Sequence, residues 1–113
     1  SKIINESGGY SEQERIRITI GVAYGTEIEK AKEIMYNIAV DSKNVCNDPN
    51  PRVRFRTFGE SGLNLQLLAW IDKPEKRGLV IDELSTKIYN AFNKEKIEIP
   101  FPQRTVHIKK TDI

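Results

Sequence analysis

The sequence predicts an α+β domain of the ferredoxin-like type, a four-stranded antiparallel sheet with two helices on one face. Three observations predict it. Four stretches alternate apolar and polar residues with the period of a strand, and two others repeat apolar residues with the period of a helix. Their order along the chain is strand, helix, strand, strand, helix, strand, which is two split βαβ halves.

Residues 6–14, Glu-Ser-Gly-Gly-Tyr-Ser-Glu-Gln-Glu, are polar, hold a glycine pair and show no periodicity, as a linker does. Before them, Ser1-Lys2-Ile3-Ile4-Asn5 looks like the tail of a strand whose partners lie upstream, so the chain is expected to be a piece of a longer protein. Residues 1–14 are accordingly set apart from a domain over residues 15–110, with 111–113 as a short tail. Alternation from Arg15 to Tyr24 gives a first strand, with Ile16, Ile18, Ile20, Val22 and Tyr24 expected on its buried face and Arg15, Arg17, Thr19 and Gly21 on the other. Thr26 and Glu29 have the spacing of a capping box and place a helix start there. Ile28, Ala31, Ile34, Met35 and Ile38 form its apolar stripe, and the end is expected between Asp41 and Asn44.

Asn47-Asp48-Pro49-Asn50-Pro51 is built of turn formers. A second strand over Arg52 to Phe58 directs Val53 and Phe55 one way and Arg52, Arg54 and Arg56 the other, and Gly59-Glu60-Ser61-Gly62 turns the chain into a third strand, Leu63 to Asp72. Its inner set is Leu63, Leu65, Leu67, Ala69 and Ile71, which leaves Leu68 and Trp70 outside with Asn64 and Gln66. Asp72 and Pro74 offer a second helix start. Val80, Ile81, Leu84, Ile88, Ala91 and Phe92 are its stripe, and Lys94-Glu95-Lys96 its end. Two prolines, Pro100 and Pro102, each fixed in φ and lacking an N–H, then make a rigid hinge. It aims a closing strand, Thr105 to Lys109, with Val106 and Ile108 inward and His107 outward.

Composition excludes several classes. The 113 residues suffice for one core, and 30% charged residues with a net charge of only +2 argue against both a disordered polyelectrolyte and a dedicated nucleic-acid binder. No apolar run approaches the ~20 residues that span a bilayer. A single cysteine, Cys46, rules out an internal disulfide and a cysteine-based zinc site. His107, the one histidine, has no second histidine, cysteine pair or carboxylate beside it by local spacing, so it is expected to be a surface or subunit-contact residue. Gly21-Val22-Ala23-Tyr24-Gly25-Thr26 ends a strand and opens a helix, where phosphate can bind, but neither a Walker pattern nor a Gly-x-Gly-x-x-Gly is present. A turn with a cap is the expectation. No catalytic residue, cofactor or metal is expected.

The outer sheet face is the most informative surface. Arg15, Arg17, Arg52, Arg54 and Arg56 beside Trp70 could hold single-stranded RNA, yet Arg17 and Thr19 stand where an RNA-recognition sheet carries a stacking aromatic. A buried subunit contact through Leu68, Trp70, Arg54 and Arg56, with Phe101 and His107 beyond, is the preferred reading. No nucleic-acid partner is expected. The alternative kept beside it is a free-standing ferredoxin-like module that binds RNA or a small effector.

Three segments resemble one family: Gly21 to Thr26, Asp48 to Leu65 (Asp-Pro-Asn-Pro-Arg-Val-Arg-Phe through Phe-Gly-Glu-Ser-Gly-Leu-Asn-Leu), and Ile97 to His107 (Ile-Glu-Ile-Pro-Phe-Pro-Gln-Arg-Thr-Val-His). Together they resemble the C-terminal cytoplasmic α/β domain of small-conductance, MscS-type mechanosensitive channels, and Ile3-Ile4-Asn5 is similar to the end of the β-domain that precedes it. The resemblance implies a non-enzymatic homo-oligomer, usually a heptameric ring, on the cytoplasmic side of the prokaryotic inner membrane. Its transmembrane pore lies upstream. These domains would wall a vestibule with lateral portals that stabilise the ring and filter ions and small osmolytes during hypo-osmotic shock. The hinge would aim the last strand at the ring axis, where family members close a small barrel. With the chain ending at Ile113, that barrel is expected to be missing or incomplete.

Overall fold

The computed structural model describes residues 14–100. The elements are β1 (Glu14–Val22), α1 (Ile28–Asp41), β2 (Arg52–Phe58), β3 (Leu63–Ile71), a 3-10 turn (Pro74–Lys76) and α2 (Arg77–Lys94). The strands form one antiparallel sheet in the order β1-β3-β2. The expected closing strand, Thr105 to Lys109, lies outside the described residues with Phe101, Pro102 and His107.

β3 is central because it is apolar enough to be covered on one face and paired on both edges. Leu63, Leu65, Leu67, Ala69 and Ile71 are each 7% exposed or less, while the intervening Asn64, Gln66, Leu68 and Trp70 are half-buried. Both helices cover the buried face, α1 across β2 and β3 and α2 across β1. α1 contributes Ala31, Met35 and Ala39, and α2 contributes Val80, Leu84, Ile88 and Phe92, all fully buried. Truncating a leucine such as Leu65 in this layer costs about 3 kcal/mol, a large share of a small domain's stability.

Four local expectations are corrected. β1 ends at Val22, so Tyr24 is not in the core: it is 55% exposed and its hydroxyl donates to the Gly59 carbonyl at 2.5 Å, reaching the β2-β3 turn. Ile20 is only partly buried, packed at the rim of the core. The capping box does not form. Gly25, at φ 97°, turns the chain, the Thr26 N–H donates to the Ala23 carbonyl at 3.2 Å, and Glu27 becomes the N-cap without a side-chain bond. Asp72 likewise caps nothing, because Pro74 opens the 3-10 turn, with Lys73 ahead of it, and α2 follows from Arg77.

The end of α2 sets the path of the chain beyond it. Lys96 is left-handed at φ 62°. Its N–H donates to the Asn93 carbonyl at 3.1 Å, and the Ile97 N–H to the Phe92 carbonyl at 2.8 Å. This is a Schellman motif with lysine where glycine is usual. It buries Ile97 and brings the Glu98 carbonyl to the Ala23 N–H at 2.9 Å, tying the chain to the end of β1. Pro100 then lies against the β2-β3 turn, its Cγ 3.0 Å from where a β-carbon on Gly62 would be.

A second tie joins the helices. Ser42, 5% exposed beyond α1, donates to Glu83 Oε1 of α2 at 3.2 Å, and Asn44 Nδ2 donates to the same oxygen at 3.3 Å. Lys87 Nζ meets the other oxygen at 3.0 Å. Burial alone raises the Glu83 pKa, but the hydrogen bonds from Lys87, Asn44 and Ser42 and the Lys87 charge outweigh it and hold the carboxyl below its ordinary value.

Three outcomes are expected. Lys96→Gly removes the left-handed strain and stabilises by about 0.5 to 1 kcal/mol, read as a rise of a few degrees in Tm. Gly62→Ala, whose β-carbon would run into the Val22 carbonyl oxygen, destabilises by about 2 kcal/mol in urea titration. Because the Glu83 pKa is lowered on folding, its ionised form stabilises the fold above the ordinary value of 4.5, and that contribution is lost as pH falls from there through the folded-state pKa. Glu83→Gln should therefore be less stable than wild type at about pH 7, with the gap closing as pH falls below 4.5.

Candidate assembly surface

Groups that could do covalent or metal chemistry are not brought together. Among the described residues, no three His, Cys, Asp or Glu side chains are placed to hold a metal ion. The turn from Gly21 to Thr26 opens onto a groove shared with Glu27, Lys30, Glu95 and Lys96, and Lys30 is engaged by Glu95 at 3.1 Å. Glu27 at the N-cap and Glu29 in the first turn of α1 already supply negative charge to the helix dipole, which disfavours an anionic ligand there.

The outer sheet face is laid out by the register. Trp70 lies opposite Arg15, Leu68 lies between Arg17 and Arg52, and Gln66 between Thr19 and Arg54. Directly opposed side chains are close neighbours, about 5 Å apart at Cβ, so arginine stems line an apolar stripe of Leu68 and Trp70. No carboxylate occupies an outer-face rung. Among the described residues, the ion pairs are Lys30 with Glu95, Arg77 with Glu14 and Lys87 with Glu83, and none involves Arg15, Arg17, Arg52, Arg54 or Arg56. At the edge of β3 beyond β2, the Cys46 N–H donates to the Trp70 carbonyl at 2.8 Å.

Of the residues singled out from the sequence, Leu68, Trp70 and Arg54 therefore share one surface. Arg56 does not join their rows. A register shift between Phe55 and Thr57 puts Thr57 on the rung opposite Asn64, whose Nδ2 donates to Thr57 Oγ1 at 2.9 Å, and leaves Arg56 exposed at the irregularity. The same shift sets Phe58 opposite Leu63, on the helix side of the sheet, where it is edge-on to Phe55 at 5.0 Å and still 74% exposed at the end of the strand. Pro100 packs on the hairpin turn. Phe101, Pro102 and His107 lie outside the described residues.

Sequence reasoning missed an acidic and apolar stripe on the outward side of α1, beside Lys30, Lys32 and Asn37. Glu29, Glu33, Tyr36 and Val40 follow one another at four, three and four residues and are all exposed, Tyr36 by 37% and Val40 by 41%, with Asn37 and Asp41 alongside. The spacing was available in the sequence, but attention to the apolar stripe hides the acidic one behind it.

Comparison with known proteins identifies the family. The family model for the C-terminal part of the MscS mechanosensitive ion channel matches residues 16–99. The large-conductance mechanosensitive channel MscMJLR of Methanocaldococcus jannaschii is 35% identical over 106 residues, covering 87% of this chain and 29% of that protein. The mechanosensitive channel MscK of Escherichia coli is 33% identical over 94 residues, covering 83% of this chain and 8% of that one. The closed-state crystal structure of Helicobacter pylori MscS superposes with a TM-score of 0.74 at 28% identity, over 80% of this chain and 36% of the channel. The chain thus spans about a third or less of each of these proteins. Membership of a channel family agrees with the expectation that the chain is not an enzyme. The chain belongs to the MscS family of mechanosensitive ion channels and corresponds to the C-terminal domain of its members.

Proposed function

We propose that this chain forms part of the wall of a cytoplasmic vestibule in a mechanosensitive channel subunit at a prokaryotic inner membrane. Subunits assemble as a homo-oligomeric ring, a heptamer. Lateral portals between them admit ions and small osmolytes to the pore while the channel relieves hypo-osmotic shock, and the ring of C-terminal domains stabilises the assembly. The match of the family model to residues 16–99 carries this reading. The likeness to a solved MscS channel, with this chain corresponding to about a third of its length, supports it. So does the character of the chain: among the described residues no helix is long and apolar enough to cross a membrane, and charged side chains around a portal bias permeating ions by their local potential.

The same reading extends the domain over residues 15–110 and closes the sheet with a fourth strand, completing the ferredoxin-like arrangement. Supporting this, β1 is an edge strand among the described residues, and an apolar groove runs along it, lined by Ile18, Ile20, Tyr89 and Ile99. The Glu98 to Ala23 bond already delivers the chain to that edge.

Grafting this chain in place of the matching segment of Helicobacter pylori MscS tests the function. In cells without other mechanosensitive channels, the chimera should form heptamers by light scattering, open under membrane tension in patch recordings and rescue survival after osmotic downshift, with altered ion preference. A chimera that reaches the membrane but neither assembles nor gates refutes the reading.

A further inference from the structure

The molecule carries two exposed surfaces that complement each other and lie on opposite sides of its two layers. One is the arginine-lined stripe on the outer sheet face, with Leu68 and Trp70 between Arg15, Arg17, Arg52 and Arg54. The other is the acidic and apolar stripe of Glu29, Glu33, Tyr36 and Val40 on the outward side of α1. We infer that in the ring the sheet face of one subunit packs against the α1 face of the next, a second copy of this chain; the inference rests on the ring assembly proposed above.

Charge, length and shape support this pairing. None of Glu29, Glu33 and Asp41 takes part in an ion pair among the described residues, and none of the sheet arginines does either. The other helix is a poorer partner: Asp82 accepts from Thr86, and Glu83 is held by Ser42, Asn44 and Lys87. At 1.5 Å per residue, the Glu29-Glu33 pair lies about 10 Å along α1 from the Tyr36-Val40 pair. At 3.3 Å per residue, the row of Arg54 lies about 10 Å along β3 from the centre of Leu68 and Trp70. With Tyr36 and Val40 laid over Leu68 and Trp70, Glu29 and Glu33 therefore reach the row of Arg54, while Arg15, Arg17 and Arg52 flank the apolar centre. Beside Val40 an open groove of about 530 Å³ between the helices, walled by Asn37, Ile38, Asp41 and Lys87, gives a protruding side chain somewhere to enter. Pairing the sheet face with itself would oppose arginine to arginine. The contact is accordingly heterologous, the kind that builds rings when its rotation closes.

The test is sedimentation equilibrium of the whole chain from about 10 μM to about 1 mM at low and physiological salt. Wild type should self-associate beyond a dimer, and less at higher salt. Arg17→Glu with Arg54→Glu, and separately Glu29→Lys with Glu33→Lys, should each weaken association about tenfold or more. Combining all four changes in one chain, or mixing the two double variants, should restore it, which also shows that the variants fold. Association that ignores both swaps overturns the contact while leaving the ring itself intact, and the graft into the Helicobacter pylori channel then still reports on assembly. A wild-type chain that stays monomeric throughout overturns the contact too. So does a monomer that binds oligo-uridine through Arg17 and Arg54, since that face would then serve a nucleic acid.

Discussion

The rest of the structure depends on the two-sidedness of β3. Each of its residues either sits in the core or faces away from it, and both of its edges are paired, so a single nine-residue segment fixes the register of both neighbours. A slip of one residue against β1 would carry Leu63, Leu65, Leu67, Ala69 and Ile71 out of the core together, a loss no alternative pairing offsets. The helices need little specificity of their own once this face exists. α1 meets it with two alanines and a methionine, side chains that allow close approach and tolerant packing.

The same constraint decides what the opposite face can be. Since the inner face takes every strongly apolar position but Leu68 and Trp70, the outer face is left to residues that tolerate water, and arginine can do so while laying its stem over an apolar neighbour. A surface of one charge sign with an apolar centre is poorly suited to remaining bare and well suited to being met by acid. The helix layer is organised differently, with Lys30, Arg77 and Lys87 engaged in ion pairs while Glu29 and Glu33 of α1 are exposed.

Much of this was legible in the sequence. Period-2 alternation identified β2 over Arg52 to Phe58 and the inner and outer sets of β3 residue by residue, because burial on one face leaves a signal that local energetics cannot erase. The helical stripes were legible for the same reason, save that Ala39, small and unremarkable, was not distinguished as core. Termini were read less well. The cap at Thr26, the start at Asp72 and the place of Tyr24 all turned on where a few backbone bonds go, and those are decided by Gly25, Pro74 and the β2-β3 turn acting at a distance. The left-handed Lys96 had no marker at all, since the residue type argues for the helix to continue. At the candidate surface, Leu68, Trp70 and Arg54 followed from alternation, whereas the irregularity that removes Arg56 from the row depends on how β2 meets β3.

The bond between Glu98 and Ala23 and the contact of Pro100 with the β2-β3 turn put the exit of the described chain at one end of the sheet, whereas its entry, Glu14, pairs with Ile71 at the other. The two attachment points are thus separated by the length of β1, about 30 Å. A pull between them runs parallel to the strands and loads the rungs of the β1-β3 ladder together instead of opening them one by one. Strung in this way, the domain would meet a tug along its length as a stiff strut rather than yield to it as a zip.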